Sequence, residues 1–227
     1  MKWTEQVTTR RKSAENDARI SDVYRKLAKG YDKSGIAALE SWRKEAIKRL
    51  NLRHGDQVVD IGCGTGLNFA LLQKAVGETG RIIGVDLTDA MLDQARLRVE
   101  RSGWKNVELV HCNAAHYQFP AQVDGILSAF ALTFIPEARQ VIQNGCQALA
   151  PGRRWVVLDM AWPHRWPWWL HHLLFFLRLP SYGITREVVR RRPWQTSWRT
   201  MEQHLVEVGR QSFWMGFFYL AWGKQPF

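Results

Sequence analysis

The chain is 227 residues long, which allows one α/β domain with a substantial core, alone or with a modest extension. Its three cysteines, Cys63, Cys112 and Cys146, are too few for a disulfide framework and match no metal-ligand spacing, so no metal is expected. The net charge of +11 points away from basic partners and toward anionic ones, and it is unevenly placed: +4 in residues 1–30, zero in 31–150 and +7 in 151–227.

The first twenty residues are polar, with Arg10-Arg11-Lys12 at their middle. They read as a mobile arm or a surface helix and not as a signal peptide, so the expected location is cytoplasmic, with peripheral attachment to the inner face of a membrane. From there Ile20, Val23, Tyr24 and Leu27 have helical spacing. Gly30 to Lys33 breaks that helix. A second is predicted over 35–50, with Ala38, Leu39, Trp42, Ala46, Ile47 and Leu50 on one face. Residues 1–50 would thus form an arm and a helical cap, with the main domain over 51–227. The run Tyr24-Arg25-x-x-Ala28-x-x-Tyr31-Asp32 resembles the cap of small-molecule and lipid methyltransferases of the ubiquinone/menaquinone type. The resemblance implies that Tyr24 and Tyr31 reach the amino-acid end of a methyl donor or the substrate; aromatic packing against the core is the plainer alternative.

Next comes Val58-Val59-Asp60-Ile61-Gly62-Cys63-Gly64-Thr65-Gly66, followed by a helix from Leu67 to Lys74. A β-branched strand, a glycine turn and a helix N-terminus make a nucleotide site. The dinucleotide fingerprint would need a glycine at position 67, where Leu67 stands. The motif present, D-x-G-x-G-x-G, resembles the first motif of class I S-adenosylmethionine (SAM) methyltransferases. That ligand carries an amino acid, a ribose and an adenine. The acid of Asp60 suits its ammonium group, and close backbone at Gly62, Gly64 and Gly66 suits its carboxylate.

The second strand, Arg81 to Val85, ends at Asp86, twenty residues after Gly66. An acid there holds ribose hydroxyls in sites of this build. Leu87 and Met91 would pack near the adenine, by the resemblance. A helix follows from Asp89 to Arg101. The third strand, Val107–Val110, leads to Asn113 and Ala114. The family usually has an Asp at the position of Asn113, taking a bond from the adenine amino group; the carbonyl oxygen of Asn113 can do the same. His116 reads as a surface or packing residue, with a substrate-facing role behind it. The fourth strand, Val123–Leu127, opens onto Ser128, Ala129 and Phe130 at its carboxyl end, where ligands bind in such sheets. Asp124, at the opposite end, reads as structural. After a helix over 137–149, Leu149-Ala150-Pro151-Gly152 precedes a fifth strand that ends at Asp159, a candidate to hold a cationic amine or else to cap or pair locally.

Residues 162–198 form an aromatic and basic insertion, and nine of the twelve tryptophans lie after position 150. The apolar centre between Arg165 and Arg178 is too short to span a bilayer, which needs about 20 residues. It reads as a helix packed between the fifth strand and the C-terminal hairpin and partly covering the substrate pocket, as an interfacial segment, or as plain core packing. Arg190-Arg191-Arg192 would contact lipid phosphate or solvent. A helix over 197–208 and two apolar runs about Gly216 complete the chain. The expected fold is therefore α/β: a Rossmann-like, mostly parallel seven-stranded sheet with an antiparallel C-terminal strand and a helical N-terminal cap.

The ordered motifs imply a SAM-dependent methyltransferase with SAM as cofactor. The cap with an aromatic-basic segment is similar to bacterial phospholipid N-methyltransferases, acting on phosphatidylethanolamine, and to betaine-lipid enzymes. In that reading Tyr24, Tyr31 and Asp159 surround the amine, and the acceptor is a lipid or small molecule at an anionic membrane surface. Quinone-type or other C/O-methylation is the alternative. A non-enzymatic, nucleic-acid-associated SAM binder is the rival from another class, but no base-reading motif follows the fourth strand, where Ser128-Ala129-Phe130-Ala131 stands, so no specific nucleic acid is expected.

Overall fold

The computed structural model describes residues 2–33, 39–162 and 182–227, with the backbone alone for 2–12. Seven strands form one sheet: β1 (Gln57–Ile61), β2 (Arg81–Asp86), β3 (Val107–His111), β4 (Val123–Ala129), β5 (Leu149–Met160), β6 (Val206–Phe213) and β7 (Phe218–Lys224), in the order β3-β2-β1-β4-β5-β7-β6. The first five pair in parallel, and β7 runs antiparallel to both β5 and β6. The order reverses between β1 and β4, so the crevice outside their carboxyl ends is the natural ligand position.

Side chains of a strand alternate between faces, and here the alternation sorts the core into two layers. Val58, Ile82, Leu127, Val156 and Leu158 pack with α2 (Glu40–Leu50) and α3 (Phe69–Val76). Val59, Ile83, Ile126, Trp155 and Val157 pack with α5 (Ala138–Ala148) and with α7 (Pro193–His204), which follows the short α6 (Arg186–Arg191). At the amino edge of the sheet Arg153 bonds both carboxylate oxygens of Asp56, at 2.9 and 3.0 Å, and Asp124 at 2.8 Å. Asp124 is thus structural, as its place in the strand implied.

The N-terminal segment is one long helix, α1 (Lys2–Leu27), continued by a 3-10 turn over Ala28–Lys33. Most boundaries shift by a residue or two, as in the helix expected over Leu67–Lys74, which runs Phe69–Val76, and three differ for a physical reason. Pro151-Gly152 lies inside β5, with an irregular register between Val123 and Gly125 on its partner, and so forms a bulge instead of a preceding turn. The predicted helix over 197–208 begins earlier, at Pro193, where a missing N–H costs nothing. It ends at His204, because Val206 and its successors pair with β7. The predicted helix over 35–50 is described from Leu39 onward, and the aromatic run 163–181 lies outside the described residues.

Candidate functional site

The glycine turn is shaped by close packing. Gly62 has φ +68°, and a Cβ there would come within 2.2 Å of the Ala131 Cβ. Gly66, at φ +78°, would meet the Phe69 ring at 2.5 Å. Only glycine fits either place. The turn is fixed to β2 by Asp86, whose Oδ2 accepts from the Gly64 N–H and whose Oδ1 accepts from the Thr88 N–H, each at 2.8 Å. Burial raises the Asp86 carboxyl above its ordinary range, while these two N–H bonds and nearby His111 oppose the rise.

A cleft with about 710 Å³ of non-protein space, counting its open mouth, runs over these strand ends. Gly62 and Gly64 form its floor over β1. Asp86, Leu87, Thr88 and Met91 line it beyond β2, Cys112, Asn113 and Ala114 beyond β3, and Ala129, Phe130 and Ala131 beyond β4. Asn16, Asp17, Ile20, Tyr24 and Tyr31 roof it from the cap. Of the residues expected at the site, Tyr24, Tyr31, Gly62, Gly64, Asp86, Leu87, Met91, Asn113 and Ala114 are thus brought together around one cleft.

Four others stand away from it. Asp60 is fully buried and shares the parity of Val58, facing α2 and α3. Its carboxylate accepts from Asn68 Nδ2 at 3.0 and 3.2 Å, and Asn68 Oδ1 in turn accepts from Arg43 Nη1 at 2.8 Å. Desolvation pushes the Asp60 pKa up to about 7. Gly66 shapes the turn without lining the cleft. Ser128 and Asp159 share the parity of Ile126 and Val157, so both are fully buried toward the α5–α7 layer. Asp159 does not reach a substrate amine: its oxygens accept from Thr133 Oγ1 at 2.8 Å, Thr133 N–H at 2.9 Å and Met160 N–H at 2.7 Å. It fixes the 3-10 turn Leu132–Phe134, and burial lifts its pKa to about 6.

That turn follows Phe130, a non-glycine residue at φ +61° whose N–H donates to Leu158 O at 2.7 Å. Such a backbone costs about 1–3 kcal/mol and marks functional positions. Its ring lies between the cleft and a second cavity with about 750 Å³ of non-protein space, counting its open mouth. Tyr24 and Phe134 also border both, and Leu39, Met160, Ile184, Trp214, Phe217 and Phe218 complete the second, with Tyr182. No acid or base among the described residues lines this second cavity. Burial raises the Tyr24 hydroxyl well above its ordinary value and the Tyr31 hydroxyl to about 12, so both are neutral donors at physiological pH.

The cap is fastened to the motif. Asp32 accepts from Thr65 Oγ1 at 2.6 Å and pairs with Arg98, which also donates through Nε to Thr65 O at 2.8 Å. Asn16 Nδ2 donates to Phe134 O at 3.1 Å. Sequence reasoning missed Asp17, Asp32, Arg43, Asn68 and Phe134 in these roles. Asp32 beside Tyr31 and Asn68 two residues after Gly66 were the available signals; Asp17 and Phe134 offered none.

The donor set fits SAM: backbone N–H groups at a tight glycine turn, an acid at the end of β2, and apolar walls beyond it. The sequence profile of the ubiE/COQ5 methyltransferase family matches residues 12–185. The chain is 33% identical over 152 residues to a demethylmenaquinone methyltransferase of Shouchella clausii, covering 65% of each chain. It is 28% identical over 173 residues to the Bacillus cereus protein of that name, covering 74% of this chain and 73% of that one. In fold it resembles a SAM-dependent methyltransferase from Aquifex aeolicus, with TM-score 0.62 and 21% identity over 89% of this chain and 97% of that one. It likewise resembles a Haemonchus contortus phosphoethanolamine N-methyltransferase solved with SAM, with TM-score 0.65 and 15% identity over 90% and 60%. The chain belongs to the ubiE/COQ5 methyltransferase family, and with it to the class I SAM-dependent methyltransferases.

Proposed function

We propose that this chain methylates a ring carbon of a hydroxylated aromatic acceptor of the quinol type, bearing an apolar tail, at a membrane surface. The observation that carries the reading is the second cavity: aromatic and aliphatic, free of charged groups among the described residues, and bordering the cleft across Tyr24, Phe130 and Phe134. A flat ring suits such walls. A phospholipid headgroup brings a phosphate and an amine, and among the described residues the cavity offers neither a charged partner; Asp159, the carboxylate expected to receive an amine, is sealed behind Thr133. The names of the relatives agree with a quinone-type acceptor.

In this reading SAM supplies an electrophilic methyl on a cationic sulfur. Asp86 accepts from the ribose hydroxyls, the Gly62–Gly64 backbone holds the amino-acid end, and Leu87 and Met91 pack against the base. Tyr31, and Tyr24 once its hydroxyl turns from Tyr182 O, 3.5 Å away, donate to the acceptor's oxygen and set the face of its ring, at the target carbon, against the methyl. Phe130 and Phe134 exclude water, so the gain comes chiefly from alignment. The new carbon–carbon bond forms as the S–CH3 bond breaks, S-adenosylhomocysteine leaves with the electron pair, and the ring carbon then loses its hydrogen as one proton to water.

The mouth of the second cavity also supports membrane contact. Trp214 and Met215, in the β6–β7 connection, are 66% and 80% exposed, while Trp214 lines the cavity. Among the described residues no helix is long and apolar enough to cross a membrane, so attachment would be peripheral.

The test is incubation with methyl-labelled SAM and either a prenylated demethylnaphthoquinol or phosphatidylethanolamine vesicles. Label in the quinol is expected, and its loss in Asp86→Ala, together with lost SAM binding by calorimetry. Label in phosphatidylethanolamine alone would overturn the acceptor assignment, and unchanged SAM affinity in Asp86→Ala would overturn the ribose assignment.

A further inference from the structure

SAM joins its parts in a fixed order, amino acid, ribose, adenine. With the amino acid over the glycine turn of β1 and the ribose at Asp86 on β2, the adenine falls beyond β3. That end of the cleft holds Leu87, Asn113, Ala114, Ile135 and, from the cap helix, Asp17. The exocyclic amino group of adenine needs an acceptor there. The Asn113 side chain is poorly placed to be one. Its Oδ1 accepts from the Ala115 N–H at 2.8 Å, which fixes the orientation of the amide, and its Nδ2 points at Asp17 Oδ2, 2.5 Å away. Asn113 therefore spends a donor on Asp17 and keeps one acceptor position at a fixed orientation, fewer than the carboxylate beside it offers.

We propose that Asp17 is the specificity-determining residue for the adenine of SAM, taking the exocyclic N–H bond from the cap side while Asn113 orients its carboxylate. A carboxylate has about four acceptor positions, and Asn113 uses one. Asp17 sits on α1 one residue from Asn16, whose bond to Phe134 O holds this part of the helix over the cleft. Partial burial pushes the Asp17 carboxyl above its ordinary range, with the amides of Asn16 and Asn113 opposing. The base would thus be read by a group carried on the cap helix and not on the sheet. The inference rests on the cleft being the SAM site.

The discriminating probes are S-adenosylhomocysteine and its deaminated analogue S-inosylhomocysteine, measured by calorimetry on the full chain. Deamination replaces the amino donor with a carbonyl oxygen that faces the carboxylate. The wild type should prefer the adenine compound by roughly 100-fold, since a site built to receive a donor rejects an analogue lacking it. Asp17→Ala should cut that preference at least tenfold. The exchange variant Asp17→Asn with Asn113→Asp returns a carboxylate to the same contact from the other side and should restore most of the preference. If Asp17→Ala weakens both ligands equally, Asp17 only holds the cap down, and the proposal is wrong. If Asp86→Ala leaves the binding of S-adenosylhomocysteine unchanged, the cleft assignment itself fails, whatever Asp17 does.

Discussion

At the scale of single residues, the acids of this chain divide by what surrounds them. Asp86 lines the cleft, whereas Asp60 and Asp159 are sealed in opposite layers of the core and hold other groups in place. A buried carboxyl with a raised pKa carries a pH signature. Asp60 titrates at about 7 in the folded chain against 3.8 ordinarily, so between those values the folded state keeps a proton that the unfolded state has lost. Stability therefore falls as pH rises through that window and levels off above it. Asp60→Asn cannot ionise, and should flatten that part of the curve by up to roughly 4 kcal/mol between pH 4 and 8. Urea unfolding of both proteins across that range checks it; parallel curves would show that Asp60 is ionised in the fold at low cost. At the same scale, D-x-G-x-G-x-G and Asp86 were legible because spacing along one strand and one turn is a local property. The direction each acid faces was not, since it depends on which helices cover which side of the sheet.

At the scale of elements, the cap roofs the cleft and is fastened to the glycine motif. Its 3-10 turn meets the glycine motif through Asp32, whose side chain is about half exposed, and through Arg98 on α4 (Asp89–Ser102). Removing these bonds should cost about 1 kcal/mol locally without touching the core. Asp32→Ala is accordingly expected to raise the KM for SAM several-fold and to speed trypsin cleavage near Lys29 and Lys33, with little change in kcat. A fall in kcat at unchanged KM would instead place Asp32 in the chemistry. The helices and parallel strands were readable from period. The β5 bulge at Pro151-Gly152 and the end of α7 were not, because pairing with neighbouring strands decided them.

At the scale of the whole molecule, the basic charge is confined to the two ends of the chain around a neutral centre. The sequence pointed to the aromatic run after Trp162 as the membrane-facing part, and residues 163–181 lie outside the described structure. What the fold adds is the exposed Trp214–Met215 tip beside the second, apolar cavity. Inserting a large apolar side chain is worth about 1.5–3 kcal/mol. Replacing both residues by Ser should therefore lower flotation with anionic vesicles tenfold or more while leaving SAM affinity intact. Undiminished flotation would reject the tip as a membrane contact.

The sequence by itself determined the α/β class, the seven-strand order of events along the chain, and a methyl donor of SAM type. Those follow from alternation within strands, glycine spacing and an acid at a strand end, all of them short-range. Only the tertiary structure decided which carboxylates face the cleft, where the second, apolar cavity lies, and that Asp17 stands against Asn113 from 96 residues away. Contacts between layers depend on how α1 docks over the strand ends and how the β6–β7 pair closes against Phe130, and neither leaves a periodic trace in the residues that make them.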